Sequence, residues 1–136
     1  FEQAVRGLRA ANIPVIVHTI LGLPGEDTEQ MLAAVRYLNT QDIQGVKLQL
    51  LHILKGTGLA DYYQSSPFSL PDMEEYFEII GRCLCILRPD IVIHRLTGDG
   101  PKPLLIAPLW TGNKRRVLNR LQAYLKAHDI WQGKEF

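Results

Sequence analysis

Three times along the chain an apolar stretch runs out to a glycine that follows a histidine by four residues: His18-Thr-Ile-Leu-Gly22, His52-Ile-Leu-Lys-Gly56 and His94-Arg-Leu-Thr-Gly98. The stretches leading there, Pro14–Leu21, Gly45–Ile53 and Ile91–Leu96, are dominated by Val, Ile and Leu and bounded by Gly or Pro, so each reads as a buried strand. Helical spacing fills the gaps. Met31, Leu32, Val35 and Leu38 make one apolar stripe; Leu70, Met73, Phe77, Ile80, Leu84 and Leu87 make another. A further helix precedes the first strand, ending near Asn12 and Ile13, and a last one covers about 113–127 with Val117, Leu118, Leu121 and Leu125 inward. Such alternation predicts βα units around a parallel sheet with two covered faces, because no strand shows the strict polar alternation of a half-wet antiparallel sheet. A closed eight-stranded barrel takes about 250 residues. The expected fold class is therefore α/β, part of a (β/α) TIM-like barrel: about three parallel strands with covering helices.

Local signals set the expected boundaries. Thr28, with Asp27 beside it, caps the helix that runs to about Asn39. Leu54–Pro67 is a long connection with a helical turn around Leu59–Tyr63. Ser69 reads as the next N-cap, followed by Pro71 and the acids Asp72, Glu74 and Glu75, and Arg88-Pro89 stops that helix. Thr97–Pro108 reads as an irregular loop. The chain divides into a barrel arc (1–112) and a basic C-terminal helix and tail (113–136). Phe1, Ala4, Val5, Leu8 and Ala11 share a helical face with no N-cap before them, which predicts a fragment of a larger protein.

Composition narrows the class. With 46% hydrophobic and 21% charged residues, the chain has the balance of a soluble globular domain rather than a disordered or fibrous one. No apolar run approaches the roughly 18 residues of a membrane span, and no secretory signal opens the chain. Two cysteines one residue apart fit a reducing cytoplasm, so a cytoplasmic location is expected. Net charge is +1, but residues 102–136 carry seven Lys and Arg against two acids. That asymmetry points to an anionic neighbour.

Parallel βα units gather their strand ends at one mouth, where ligands bind. The shared spacing predicts His18, His52 and His94 in one layer near that mouth, either as a metal site or as polar residues of a wet cavity. The turn Gly22-Leu-Pro-Gly-Glu-Asp27 places two acids where a phosphate cradle would want bare amides and a cation, which excludes a P-loop. Cys83 and Cys85 lie two apart in a helix and point about 200° from each other, so they belong to the core and cannot grip one metal. Lys114, Arg115, Arg116, Arg120 and Lys126 form a basic face, an alternative site for nucleic acid with Tyr124 and Trp110 as the few aromatics. A barrel hydrolase or isomerase is disfavoured: no nucleophile elbow or paired carboxylates are visible, and Asp99 is the one mouth-side acid besides Glu26 and Asp27.

His-Thr-Ile-Leu-Gly-Leu-Pro-Gly-Glu at 18–26, followed by Lys-Leu-Gln-Leu-Leu-His-Ile-Leu-Lys-Gly-Thr-Gly-Leu at 47–59, resembles the C-terminal half of a radical S-adenosylmethionine (SAM) enzyme. The subgroup it resembles includes the Elongator catalytic subunit and oxygen-independent coproporphyrinogen oxidase. The segment from His94 to Gly100, with Leu105–Trp110, is similar to a bacterial branch of Fe–S oxidoreductases. The resemblance spans essentially the whole chain. It implies a partial barrel whose mouth carries SAM and a [4Fe-4S] cluster held by Cys-x3-Cys-x2-Cys, and an oxidoreductase that cleaves SAM to a 5′-deoxyadenosyl radical. The family's strand motif, roughly G-x-I-x-G-x-x-E, packs on the adenine. Ile20 and Gly22 match it, His18 stands at its first glycine, and Glu26 falls one residue late. The implied cofactor-binding residues are His18, Ile20, Gly22, Gln49, His52, Leu54 and Lys55. The cluster ligands are absent from this sequence, so the chain alone is expected to be inactive, with the N-terminal half of the same protein as its partner. An RNA or a small molecule is the implied substrate. The alternative is a tRNA- or partner-binding module built on the basic helix. A first strand without its neighbour would also expose an edge on which two copies could pair.

Overall fold

The computed structural model describes residues 1–98 and 100–136. Its elements run α1 (Glu2–Ala10), β1 (Ile16–Leu21), α2 (Thr28–Asn39), β2 (Gly45–Leu50), β3 (Ile53–Leu54), α3 (Gly58–Ser65), α4 (Met73–Ile86), β4 (Val92–Arg95), β5 (Leu105–Ala107) and α5 (Lys114–Ala127), with short 3₁₀ turns at Lys102–Leu104 and Leu109–Gly112. Strands β1, β2 and β4 form one parallel sheet in that order. Each strand adds beyond the last, as in an arc of a barrel, with none of the order reversal of a doubly wound sheet. The α/β class and the three parallel strands expected from the sequence are what the chain adopts.

Why the helices start where they do is local chemistry. The Asp27 carboxylate accepts from the Gln30 N–H (2.8 Å) while the Gln30 side chain accepts from the Asp27 N–H (2.8 Å), a reciprocal cap that makes Asp27, not Thr28, the N-cap of α2. Asp72 does the same for α4 with Glu75, three residues beyond the expected Ser69. A carboxylate beside a helix N-terminus gains the dipole as well as the hydrogen bond, which favours aspartate over the serine upstream. The third strand is shorter than Ile91–Leu96. The second ends at Leu50 rather than Ile53: Ile53 and Leu54 leave the sheet and pair antiparallel with β5, inside the segment expected to be irregular. The turn expected near Leu59–Tyr63 is the helix α3, capped by the Thr57 hydroxyl.

The core lies on one face of the sheet. Val46, Leu48 and Leu50 of β2 are fully buried under Leu32, Val35 and Leu38 of α2 and Phe77, Ile80 and Leu84 of α4, and Val117 and Leu121 of α5 join the same cluster. Tyr76, also buried, donates its hydroxyl to the Leu96 carbonyl at 2.9 Å. The other face is open, contrary to the expected second cover. Ile16, Ile20 and Val92, all on that side, are 46%, 39% and 59% exposed. Strands with an apolar face and no layer over it are what a barrel presents to its interior.

Beneath the sheet, at the strand starts, Arg88 ties the connections together. Its Nη1 donates to the Asn39 carbonyl (2.7 Å) and its Nε to Asp90 (2.6 Å), with longer bonds toward the carbonyls of Gln41 and Ile43. Asn39 caps the end of α4 through the Ile86 carbonyl, and Gln132 of the tail reaches the carbonyls of Arg88 and Ile91. No helix among the described residues is long and apolar enough to cross a membrane.

Candidate functional site at the strand ends

Pairing fixes which side chains share the open face. His18 is level with Lys47, and Ile20 with Gln49, while Gly45 is level with Val92. Since Val46, Leu48 and Leu50 point under the helices, Gly45, Lys47 and Gln49 face the other way. Between β2 and β4 the register slips, so that Val46 pairs with Ile93 but Lys47 with Arg95. The extra residue is His94. Its ring lies over Gly45, where a Cβ would come within 2.7 Å of it. The bulge thereby turns His94 and Arg95 toward the same open face, which strict alternation would forbid.

At the carboxyl ends of the strands this face forms a cavity of about 320 Å³. Five of the seven expected residues line it: His18, Ile20, Gln49, His52 and Leu54. Arg95, Gly100 and Pro101 complete the rim, with Leu50 and Leu51 behind. Two expected residues are elsewhere. Gly22, with φ of +81°, is wedged against Leu50 and Pro71 and lines a second cavity. Lys55 is exposed in the turn after β3, its backbone N–H donating to the Leu104 carbonyl. Arg95 was not among the expected residues, because parity from Ile91 hides the bulge that aims it.

The three histidines do not share a layer. His18 is level with residue 47, whereas His52 lies past the end of β2, and its ring is held at Nδ1 against the Leu50 carbonyl (2.9 Å) and at Nε2 against Thr111 Oγ1 (3.0 Å). The ring packs directly on Gly98, where a Cβ would fall 1.9 Å from it. Equal spacing to a glycine misleads here because Gly56 belongs to the turn after β3, not to the end of β2. Among the described residues, no group of three or more His, Cys, Asp or Glu could hold a metal ion.

The βα turn after β1 is closed by Glu26, whose carboxylate accepts from the N–H groups of Gly22 (2.8 Å) and Leu23 (3.0 Å). The amides that a phosphate cradle would use are therefore occupied. The second cavity, about 410 Å³, contains Glu26, Asp27, Glu75 and Glu78, and the first three of these spend their carboxylates on backbone amides. Cys83 and Cys85 are buried as expected, and burial pushes the Cys83 thiol up to about 12, far from a metal-binding thiolate. On α5 the basic residues are exposed, with Arg120 paired to Glu74. The neighbouring aromatics are engaged within the fold: Trp110 donates to the Pro71 carbonyl and Tyr124 stacks on His128. Asp99 lies outside the described residues.

A profile described as the Radical_SAM C-terminal domain matches residues 43–127, and the chain belongs to that family. YtqA of Bacillus subtilis is 36% identical over the whole chain, and YhcC of Escherichia coli 28% identical over 96% of it. Elongator complex protein 3 of Schizosaccharomyces pombe is 31% identical over 63% of the chain, which covers 16% of that protein. The chain spans 42% of the length of YtqA and of YhcC. In three dimensions it is similar to the archaeal Elp3 of Methanocaldococcus infernus solved with an N-terminal deletion, with a TM-score of 0.77 over 96% of this chain and 32% of that one, at 16% identity. That likeness extends the shared fold to β1 and α2, ahead of the matched residues.

Proposed function

We propose that this chain is the SAM-facing, substrate-facing portion of a radical SAM oxidoreductase, closed into a barrel by the rest of a longer protein. The observation that carries the proposal is the cavity at the strand ends, where five residues named by the family motif and its downstream partner converge. An adenosyl group suits that cavity. Ile20 and Leu54 offer apolar walls, and the Gln49 amide, which has no hydrogen-bond partner among the described residues, is free to read a heterocycle edge. His18 lies level with the adjoining strand's Lys47, and its imidazole would hydrogen-bond the ribose of the bound group. SAM, when bound, supplies one-electron chemistry to the full-length enzyme. What this chain contributes is the seat: it desolvates the adenosyl group and orients it against the open face. The iron–sulfur cluster does not fit here, since the two cysteines are buried in α4 and point apart. The free edge of β1 is where the remaining strands would pair, covering Ile16 and Ile20 as they do.

Replacing His18 by alanine in the full-length protein is expected to weaken SAM about five- to tenfold, the loss of one hydrogen bond of about 1 kcal/mol. Equilibrium dialysis with labelled SAM reads this directly, and an unchanged affinity contradicts the placement of His18.

A further inference from the structure

The open face carries two cations, Lys47 and Arg95, to which the proposed adenosyl seat gives no role. Lys47 of β2 is level with His18 on one side and with Arg95 on the other, and the bulged His94 stands beside them over Gly45. Neighbouring strands are about 4.8 Å apart, so the row crosses roughly 10 Å of the sheet. Neither the Lys47 ammonium nor the Arg95 guanidinium has a hydrogen bond or ion pair among the described residues, although Arg6, Arg9, Arg36, Arg82, Arg88 and Arg120 all pair with acids. Among the described residues, no acidic side chain lines the cavity that Arg95 rims. Both cations are half-buried, so water screens them less than it screens a surface lysine.

Two cations left unpaired on the inner face of a barrel would repel each other and pay for desolvation once the barrel closes. A sheet that places them side by side, and inserts a residue into β4 to turn the second one inward, is arranged for a negative ligand. A single carboxylate is satisfied by one guanidinium fork. A row of ammonium, guanidinium and two imidazoles about 10 Å wide matches instead an anion with several oxygens spread over that width. We propose that Lys47 and Arg95, flanked by His18 and His94, bind the phosphate group or groups of the substrate that the neighbouring cavity serves. The inference rests on the proposed function only in taking the open face as the interior of a closed barrel.

Full-length protein is titrated by calorimetry with inorganic pyrophosphate and, separately, with a short single-stranded oligonucleotide, each at about 50 and 200 mM salt. At least one of them is expected to bind and to weaken as salt rises. The double variant Lys47→Gln/Arg95→Gln is expected to lose at least tenfold in that affinity, with its thermal melting preserved because both side chains lie off the helix-covered core. Binding of pyrophosphate alone identifies a small phosphorylated substrate, and binding of the oligonucleotide alone a phosphodiester chain; either supports the proposal. If neither anion binds, or the affinity ignores the double variant, the row is neutralised by carboxylates of the rest of the protein and the proposal is overturned. SAM affinity of the unmodified protein, measured in parallel, separates the two ideas: loss of SAM binding with phosphate binding intact removes the adenosyl seat and leaves the anion row standing.

Discussion

Arginine in place of Ile20 lowers the affinity of the full-length protein for SAM by about 100-fold. Two effects add. Ile20 is a wall of the strand-end cavity, and losing an apolar seat of that size costs about 1.5–3 kcal/mol of contact with the adenosyl group. The incoming guanidinium then occupies the space in a cavity that Arg95 already rims, and a second cation there repels the sulfonium of the ligand. Together these reach the roughly 2.7 kcal/mol that a 100-fold change requires. The fold should tolerate the change, since Ile20 is 39% exposed and faces away from the helix-covered core. Valine at the same position keeps the apolar wall and should hold affinity within about threefold. Equal SAM binding by the arginine and valine variants would place the ligand elsewhere.

The largest effect on stability is expected from Arg88, at the opposite end of the sheet from the site. Arg88→Ala removes a guanidinium that donates to the Asn39 carbonyl and to Asp90 and reaches toward the carbonyls of Gln41 and Ile43. Ile43 is buried, so its carbonyl lies where water cannot easily replace the lost donor. The Arg88–Asp90 pair adds little by itself, because Asp90 is largely exposed. Hydrogen bonds from a charged donor contribute about 1.5–3 kcal/mol, so the variant should lose about 3 kcal/mol. That corresponds to a urea midpoint lower by about 1 M or more for the full-length protein, followed by tryptophan fluorescence. Lysine, a point charge without the fork, should recover only part of it. An unchanged midpoint would mean that the connections beneath the sheet are held by Asn39 and Gln132 alone.

Much of this architecture was legible before any coordinates. The β-branched runs and the stripes Met31–Leu38 and Met73–Leu84 each have one period and one destination, so the parallel sheet and its helices followed from pattern. Pattern failed where the chain changes partner. Gly45–Ile53 is continuously apolar, yet only Gly45–Leu50 stays in the parallel sheet, because Ile53 and Leu54 find β5, whose three residues carry no signal of their own. Of the site, Ile20, Gln49 and Leu54 were legible through resemblance, and His18 and His52 also through their spacing. Arg95 was not, because a bulge is a decision of the pairing partner: nothing between Val92 and Arg95 announces that Lys47 will skip His94. The same spacing that singled out His18, His52 and His94 also overreached, since it counts residues and not strand ends.

The central claim is that the open face of β1 and β2 is the inner wall of a barrel whose mouth seats SAM. A crystal structure of the full-length protein with SAM bound tests it most directly. The account predicts the adenine within van der Waals contact, about 4 Å, of Ile20 and Leu54, with the Gln49 amide hydrogen-bonded to its edge. SAM found on the helix-covered side, or the cavity filled by side chains from the rest of the chain, would contradict it.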